Sequence, residues 1–281
     1  SYYRISDPDL WMYIRSGEIT VSDGEPLLRD IYSSTSFGGE WINHSWLSQP
    51  VVYFFYRVFG VAGLYLFRWL ILSATFFLVW ATVRGKAGPV GSVWLTLASI
   101  LACGQRFFVR PELFTFLFLA LLVFLLEKYR PHNSARLFII PFLFLFWANC
   151  HGGFVIGLGV ISIYCLGEAI TALLRFSAGR NTGRGRPGCP LWLILLLVFL
   201  GSAALSAVNP NGLEAFVYFL RIRKISSFIY SWQPFPLTEP AAWGISQLFF
   251  PLFILAGGAS FISNRKKIYL PYLLLFIKRR R

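Results

Sequence analysis

Acidic residues are scarce in this chain, which has only 12 Asp and Glu among 281 residues, against 26 Lys and Arg. Charged residues of both signs make up 14% and apolar residues 56%, whereas a soluble domain carries roughly 25% charged residues. So little charge, with so much Phe, Trp and Leu, excludes an ordinary soluble domain. The composition predicts an all-α integral membrane protein, because a backbone that crosses lipid must satisfy its own hydrogen bonds.

Cysteine is equally sparse, with four residues scattered through the chain and no CxxC pair. This spacing excludes a zinc knuckle or a disulfide framework. The net charge of +14 is explained by basic residues on cytoplasmic loops that meet anionic lipid. We therefore expect membrane lipids, and no nucleic acid, as partners.

Long apolar runs predict a polytopic helix bundle of about seven spans. Alternating them across the membrane places most basic loop residues on the cytoplasmic side, as the positive-inside rule requires. Residues 1–60 then form an outer acidic loop with amphipathic and interfacial helices, and residues 61–281 form the bundle. We also expect a helix before Ser1 and more chain after Arg281. The predicted spans are 61–83, 89–104, 113–127, 137–148, 154–174, 190–208 and 241–262.

Seven of the acids lie before residue 46, and two of them flank a proline in "DPDLW", residues 7–11. A short amphipathic helix is predicted over residues 8–16. Asp7 and Asp9 have two interpretations that the sequence leaves open. They can cap that helix, or they can form a carboxylate pair that binds Mg²⁺ or Mn²⁺ or deprotonates an acceptor hydroxyl.

Further polar residues are predicted on the same outer face. Arg106 and Arg110 are four residues apart, so a helix would place both on the same face. Two arginines on one face suit binding of a phosphate group. An ion pair with Glu112 or contact with lipid headgroups explains them equally well. Four further polar residues are candidates for the same site, although a solvated loop or a tight glycine turn is the simpler explanation of each. They are Asp30, His44, Asn149 and His151.

The order of these motifs resembles one group of membrane proteins. "DPDLW" is followed by "RSGEI…LLRDIYSSTSFGGEWINHSWL", "RPELFTF", "WANCHGGFVIG" and "NPNG", as in bacterial polytopic proteins of GT-C glycosyltransferase type. The likeness covers most of residues 5–235. In that group the tryptophan of "DPDLW" is usually followed by a second tryptophan and a histidine, whereas this chain has Met12 and Tyr13.

The resemblance implies a GT-C-like architecture whose first outer loop carries an acidic pair, at Asp7 and Asp9, above a cavity for a polyprenyl-phosphate sugar. It implies a bacterial inner-membrane glycosyltransferase that uses a lipid-linked sugar donor on the non-cytoplasmic face. Arg106 and Arg110 would hold the donor phosphate. The alternative is a non-catalytic subunit, with other membrane subunits as partners; the sequence offers less for a transporter.

Overall fold

Every regular element in the part of the chain that the structure describes is helical. The structure is a computed structural model that describes residue 7 and residues 9–132, 135–177 and 189–218. The predicted span at 241–262 lies outside these residues. Short 3₁₀ turns occur at Gly104–Arg106, Arg130–His132 and Ala135–Ile139. The helices are α1 (Asp9–Asp23), α2 (Ser48–Cys103), α3 (Glu112–Tyr129), α4 (Ile140–Cys150), α5 (Phe154–Ser177) and α6 (Leu191–Ser206).

Two glycines divide α2 into three segments, which we call α2a (48–59), α2b (61–87) and α2c (89–103). The backbone leaves the helical region at Gly60, with φ 59° and ψ −144°, and at Gly88, with φ 70° and ψ 179°. Glycine adopts positive φ without the penalty that a Cβ imposes, and Pro89 then restarts the helix. The predicted spans 61–83 and 89–104 therefore begin directly after the observed breaks.

Helix α1 is longer than the predicted 8–16, because it continues through Gly17 to Asp23. Gly17 is a contact position rather than a break. A Cβ added there would lie 2.3 Å from the carbonyl oxygen of Gln49 and 2.8 Å from Cβ of Tyr53. The absent side chain lets α1 lie directly on α2a.

Two apolar clusters hold the helices together. One joins α1, α2 and the start of α3 through Leu10, Val52, Leu64, Phe67 and Leu113. The other is shared by the four helices α3, α4, α5 and α6, with Trp147 and Tyr164 among its largest buried side chains. Because α1 shares the first cluster with α2b and α3, the acidic segment is packed onto the helices and not held away from them.

Polar contacts gather at the two ends of the helices. At one end Lys86 pairs with Glu127, which also accepts a hydrogen bond of 2.6 Å from the Tyr164 hydroxyl. At the same end Arg130 pairs with Glu168 at 3.0 Å. The opposite end carries Asp7, Arg110 and the loops described below. The two groups of polar contacts therefore lie at opposite ends of the helices.

In the part of the chain that the structure describes, two helices are long and apolar enough to cross a membrane. They are Ser48–Cys103, with a mean hydropathy of 1.8, and Phe154–Leu174, with 1.9. Two shorter apolar helices span Ala135–Cys150 and Leu191–Ser206. Large apolar side chains on α2 are exposed, including Trp69, Phe77 and Trp94 at 60, 61 and 68%.

The packing of α5 on α4 predicts opposite effects for two glycines on one helix. A Cβ at Gly157 would lie 2.5 Å from the Trp147 ring, whereas one at Gly159 would meet nothing within 4 Å. Gly157→Ala should lower the free energy of unfolding by about 1–3 kcal/mol through overpacking. Gly159→Ala should leave it unchanged or raise it by up to about 1 kcal/mol. Thermal unfolding in one detergent measures both, and equal effects would contradict the described α4–α5 contact.

Candidate functional site

The first half of the site is an ion-pair cluster of Asp7, Asp9 and Arg110. Arg110 donates Nε and Nη2 to the two carboxylate oxygens of Asp7, the second bond measuring 2.8 Å. Its Nη2 also lies 3.4 Å from Asp9 Oδ2. The Asp7 side chain is 4% exposed, that of Arg110 31% and that of Asp9 49%. One carboxylate is therefore a buried anchor, and the other is open to a reactant.

Asp7 also organises the start of α1. Its Oδ1 accepts the backbone amide of Asp9 at 3.2 Å, and its carbonyl accepts that of Leu10 at 3.2 Å. Pro8 lies outside the described residues. Capping and ion pairing are thus both present in Asp7, and the cap holds the carboxylate in the orientation that Arg110 needs.

Tyr13 lies one turn further along α1, near the ion pairs. Burial raises the pKa of Tyr13 to about 12, and the Asp9 carboxylate adds to the rise while Arg110 opposes it. The phenol therefore stays neutral at physiological pH and can donate a hydrogen bond. The proteins that this sequence resembles usually have a histidine at the position of Tyr13. Here the residue beside Asp9 is instead a hydrogen-bond donor whose protonation does not change near neutral pH.

Arg106 and Arg110 do not share a helical face, contrary to the sequence-based prediction. Arg106 ends the turn Gly104–Arg106, and the backbone bends before α3 begins at Glu112. The charges of both arginines nevertheless act on the Glu112 carboxylate. The bend turns Arg110 toward α1, because Asp7 holds its guanidinium there.

The second half of the site is an imidazole cluster of His44, His151, Thr115 and Tyr218. The His44 ring centroid lies 5.9 Å from that of His151 and 5.1 Å from that of Tyr218. Trp147 donates to Thr115 Oγ1 at 3.0 Å, and Thr115 Oγ1 lies 2.7 Å from His151 Nδ1. The Gly153 amide donates to His151 Nδ1 at 3.1 Å, so this nitrogen is an acceptor. The Thr115 hydroxyl therefore donates its proton to the same nitrogen.

Both histidines are held neutral. Burial, with a smaller contribution from the neighbouring His44, lowers the pKa of His151 to about 3. Burial also lowers the pKa of His44. His44 Nδ1 is buried and has no hydrogen-bond partner among the described residues. A neutral imidazole with an unused nitrogen can accept a proton or a hydrogen bond from a ligand.

Asn149 joins three segments at this end of the molecule. Its side-chain oxygen accepts from Trp46 Nε1 at 2.7 Å, and its carbonyl accepts from the Leu47 amide at 3.0 Å. Its amide nitrogen donates to the carbonyls of Leu145 at 2.7 Å and Val208 at 2.9 Å. These bonds use both side-chain atoms, so Asn149 positions the loops around the imidazole cluster rather than binding a substrate directly.

Asp30 stays within its own loop. Its carboxylate accepts from the amides of Tyr32 and Ser33 at 2.8 and 3.0 Å and from the Ser33 hydroxyl at 2.6 Å. The Ser33 hydroxyl is the main cause that lowers the pKa of Asp30. The structure does not join Asp30 to the ion pairs, and the two histidines likewise form a cluster separate from them. The first turn of α3 links the clusters, because Arg110 precedes it and Thr115 belongs to it.

The arrangement around Asp7 and Asp9 does not fit the predicted Mg²⁺ or Mn²⁺. Both oxygens of Asp7 are engaged by Arg110, which takes the position that a cation would hold between the two carboxylates. Within the described ranges no three His, Cys, Asp or Glu side chains converge. A metal requirement stays a prediction that this arrangement does not support, and no catalytic step is assigned to a metal ion.

Two contributors to the site carry no signal in the sequence pattern. Thr115 lies inside an apolar helix, and only the fold brings it to His151. Tyr218 follows the "NPNG" turn, more than 170 residues after His44. Outside this site, Arg68 interrupts the predicted span 61–83, and a charge in such a run is a signal that pattern reading can use.

Acid should destabilise the protein through His151. Its folded pKa of about 3 lies below its ordinary value of 6.5, so the stability it supports is full above pH 6.5 and falls as pH drops toward 3. His151→Gln should shrink the loss of melting temperature between pH 7 and pH 4. His132→Gln, at an exposed histidine, is the matched control and should keep the wild-type loss. An unchanged loss in the His151 variant would contradict the neutral buried imidazole.

The two acids should differ in their effect on stability. Asp7→Asn should lower the free energy of unfolding by about 2 kcal/mol, because it leaves the Arg110 guanidinium without its buried partner. Asp9→Asn should lower it by less than about 1 kcal/mol, since that pair is solvated. Chemical unfolding in detergent measures both, with the exposed Glu18→Gln on the same helix as control. Equal losses at Asp7 and Asp9 would contradict the assigned anchor.

Comparison with known proteins provides no independent support for an identity. No protein-family model, no curated protein and no solved structure matches this chain. The likeness to GT-C glycosyltransferases therefore stays a hypothesis, and the function has to be argued from the side chains at the site.

Proposed function

We propose that this chain is a polytopic membrane glycosyltransferase that moves a sugar from a polyprenyl-phosphate donor to an acceptor on the non-cytoplasmic face of a bacterial inner membrane. One observation carries the proposal. A buried carboxylate, Asp7, fixes a partly exposed guanidinium, Arg110, beside an accessible carboxylate, Asp9. An accessible base beside an anchored cation is what transfer from a phosphate leaving group requires.

Membrane placement is supported by the surface of the helices and by their two ends. Exposed aromatic side chains such as Trp69 and Trp94 form the kind of surface that a soluble protein avoids. At one end Lys86 pairs with Glu127 and Arg130 pairs with Glu168, and the candidate site lies at the other end. In our proposal the end with Lys86 faces the cytoplasm, and the acidic segment faces outward.

Asp9 acts as the general base in this proposal. It removes the proton from an acceptor hydroxyl while the hydroxyl oxygen attacks the anomeric carbon of the sugar. The bond between that carbon and the phosphate oxygen breaks, and polyprenyl phosphate leaves with the bonding electrons. Asp9 suits the role because its side chain is 49% exposed, whereas Asp7 is engaged on both oxygens.

Arg110 neutralises the charge that develops on the leaving phosphate. Its Nε and Nη2 hold Asp7, so Nη1 faces the donor without a hydrogen bond inside the described residues. Asp7 is a positioning residue, since it acts through Arg110. Its hydrogen bonds raise the pKa of Arg110, so the guanidinium stays charged throughout the reaction. Arg106 adds positive charge near the same position, and the neutral phenol of Tyr13 supplies a donor.

The imidazole cluster serves acceptor binding in this proposal. His44 Nδ1 is a buried ring nitrogen without a partner in the described part of the chain, so a hydroxyl of an acceptor sugar can form a hydrogen bond with it. Thr115 and Gly153 fix the neutral form of His151 beside it. Asn149 keeps the surrounding loops in place, which preserves the geometry on which transfer depends.

The test uses the full chain in lipid nanodiscs with three probes: polyprenyl-phosphate-linked hexose, pentose and amino sugar. Release of polyprenyl phosphate is measured over time, with water as the default acceptor. Asp9→Asn should reduce release by about 100-fold or more, the range that loss of a general base produces. Glu18→Gln, an exposed carboxylate on the same helix, should keep the wild-type rate.

Two results would overturn the proposal. Wild-type release that survives in Asp9→Asn would remove the assigned base. No release from any probe, together with stable co-purification of another membrane protein over the Asp9 surface, would favour the non-catalytic subunit instead.

A further inference from the structure

Among the described residues, Arg68 is a buried cation without a counter-charge. The residue is 6% exposed, although it lies on α2b among apolar residues. In the described residues it forms no ion pair with a carboxylate. Its contacts are a long 3.5 Å hydrogen bond from Nη1 to the Phe107 carbonyl and the Tyr65 ring, 5.1 Å from Cζ to the centroid. A buried guanidinium is strongly unfavourable unless an anion compensates it.

An apolar cleft begins one helical turn from Arg68. Its volume is about 310 Å³, and it lies between α2b, α2c and α3, with Leu72, Val83, Phe107 and Ala120 among its walls. Cavities of roughly 300–1,000 Å³ are of the size that binds small ligands.

The cleft offers a ligand no free hydroxyl group. Thr75, Thr82 and Ser99 face it, yet each hydroxyl donates to a backbone carbonyl of its own helix, at 2.8, 2.7 and 2.8 Å. What the cleft can bind along its length is therefore hydrocarbon.

Arg68 and the cleft belong to one stripe of α2b. Residues 68, 72, 76, 79 and 83 recur at helical spacing, so they share a face. From Leu72 to Val83 the cleft extends about 16 Å, at 1.5 Å per residue over eleven residues. That length matches one half of a hydrocarbon core of roughly 30 Å. Phe107 belongs to both parts, because its carbonyl accepts from Arg68 and its residue lines the cleft.

We propose that this cleft binds a single-chain anionic amphiphile, with its chain along α2b and its phosphate or carboxylate head group on Arg68. Charge complementarity and the apolar walls together select such a ligand. A neutral lipid would leave the cation uncompensated, and a free phosphate would leave the cleft unfilled. The inference rests on the membrane placement proposed above but not on sugar transfer.

The test measures binding to the purified full chain in a neutral detergent by thermal shift. The probes are dodecyl phosphate and dodecanoate, with dodecanol and inorganic phosphate as controls for the chain and the charge alone. At least one anionic amphiphile should raise the melting temperature of the wild type, and neither control should. The probe that raises the melting temperature more identifies the preferred head group as phosphate or carboxylate.

Variants separate the two parts of the site. Arg68→Gln should weaken binding by about tenfold or more through loss of a charge-assisted hydrogen bond. Val79→Phe should block the chain and weaken binding with the charge intact. Arg57→Gln, at an exposed arginine on α2a, removes the same charge elsewhere and should bind as the wild type does.

The unliganded protein provides a second measurement. Arg68→Met should raise its melting temperature, because an uncompensated cation is removed. A purely structural arginine would make that variant less stable. The inference fails if dodecanol binds as well as the anions, if neither anion binds, or if Arg68→Gln binds as tightly as the wild type. Asp9→Asn should bind the probes normally, so failure of transfer and failure of lipid binding are distinguishable.

Discussion

The pairing of Asp7 with Arg110 is the interaction on which the polar end of this molecule depends. It joins the start of α1 to the turn before α3 across 103 residues. Asp7 also accepts the Asp9 amide, so one carboxylate directs both the first helix and the guanidinium. The pair is stable because Asp7 is almost fully buried and its two oxygens meet a bidentate donor. Asp9 can remain accessible because Asp7 performs the structural role.

Burial sets the protonation states of the other polar groups at this end. Tyr13, His44 and His151 are all held in the neutral form by desolvation, whereas Arg110 stays charged beside its carboxylates. The site therefore combines one fixed cation, one accessible carboxylate and neutral donors and acceptors. Such a set suits a reaction in which charge develops on a phosphate leaving group. It also suits a membrane surface, because few uncompensated charges approach the lipid.

Arg68 differs from these groups because it has no opposite charge beside it among the described residues. Its guanidinium is buried without an anion in the described residues, and the apolar cleft continues from it along the same helical face. The loop containing Phe107 separates this feature from Arg110. In our proposals the two cations on either side of this loop serve different ligands. Arg110 contacts a reacting phosphate, and Arg68 contacts an amphiphile whose chain lies between the helices.

The sequence alone determined the helical class and the separate apolar segments that end before residue 60 and begin at residues 61 and 89, because apolar run length and glycine chemistry are local properties. It also singled out Asp7, Asp9 and Arg110, since charges are rare in such a chain. Only the tertiary structure decided that Asp7 is the anchor and Asp9 the accessible acid, because burial depends on how α1 packs on α2 and α3. The tertiary structure also decided that Thr115 and Tyr218 contact the histidines and that Arg68 has no carboxylate beside it among the described residues. Contacts between residues distant in sequence arise from helix packing, which no local pattern specifies.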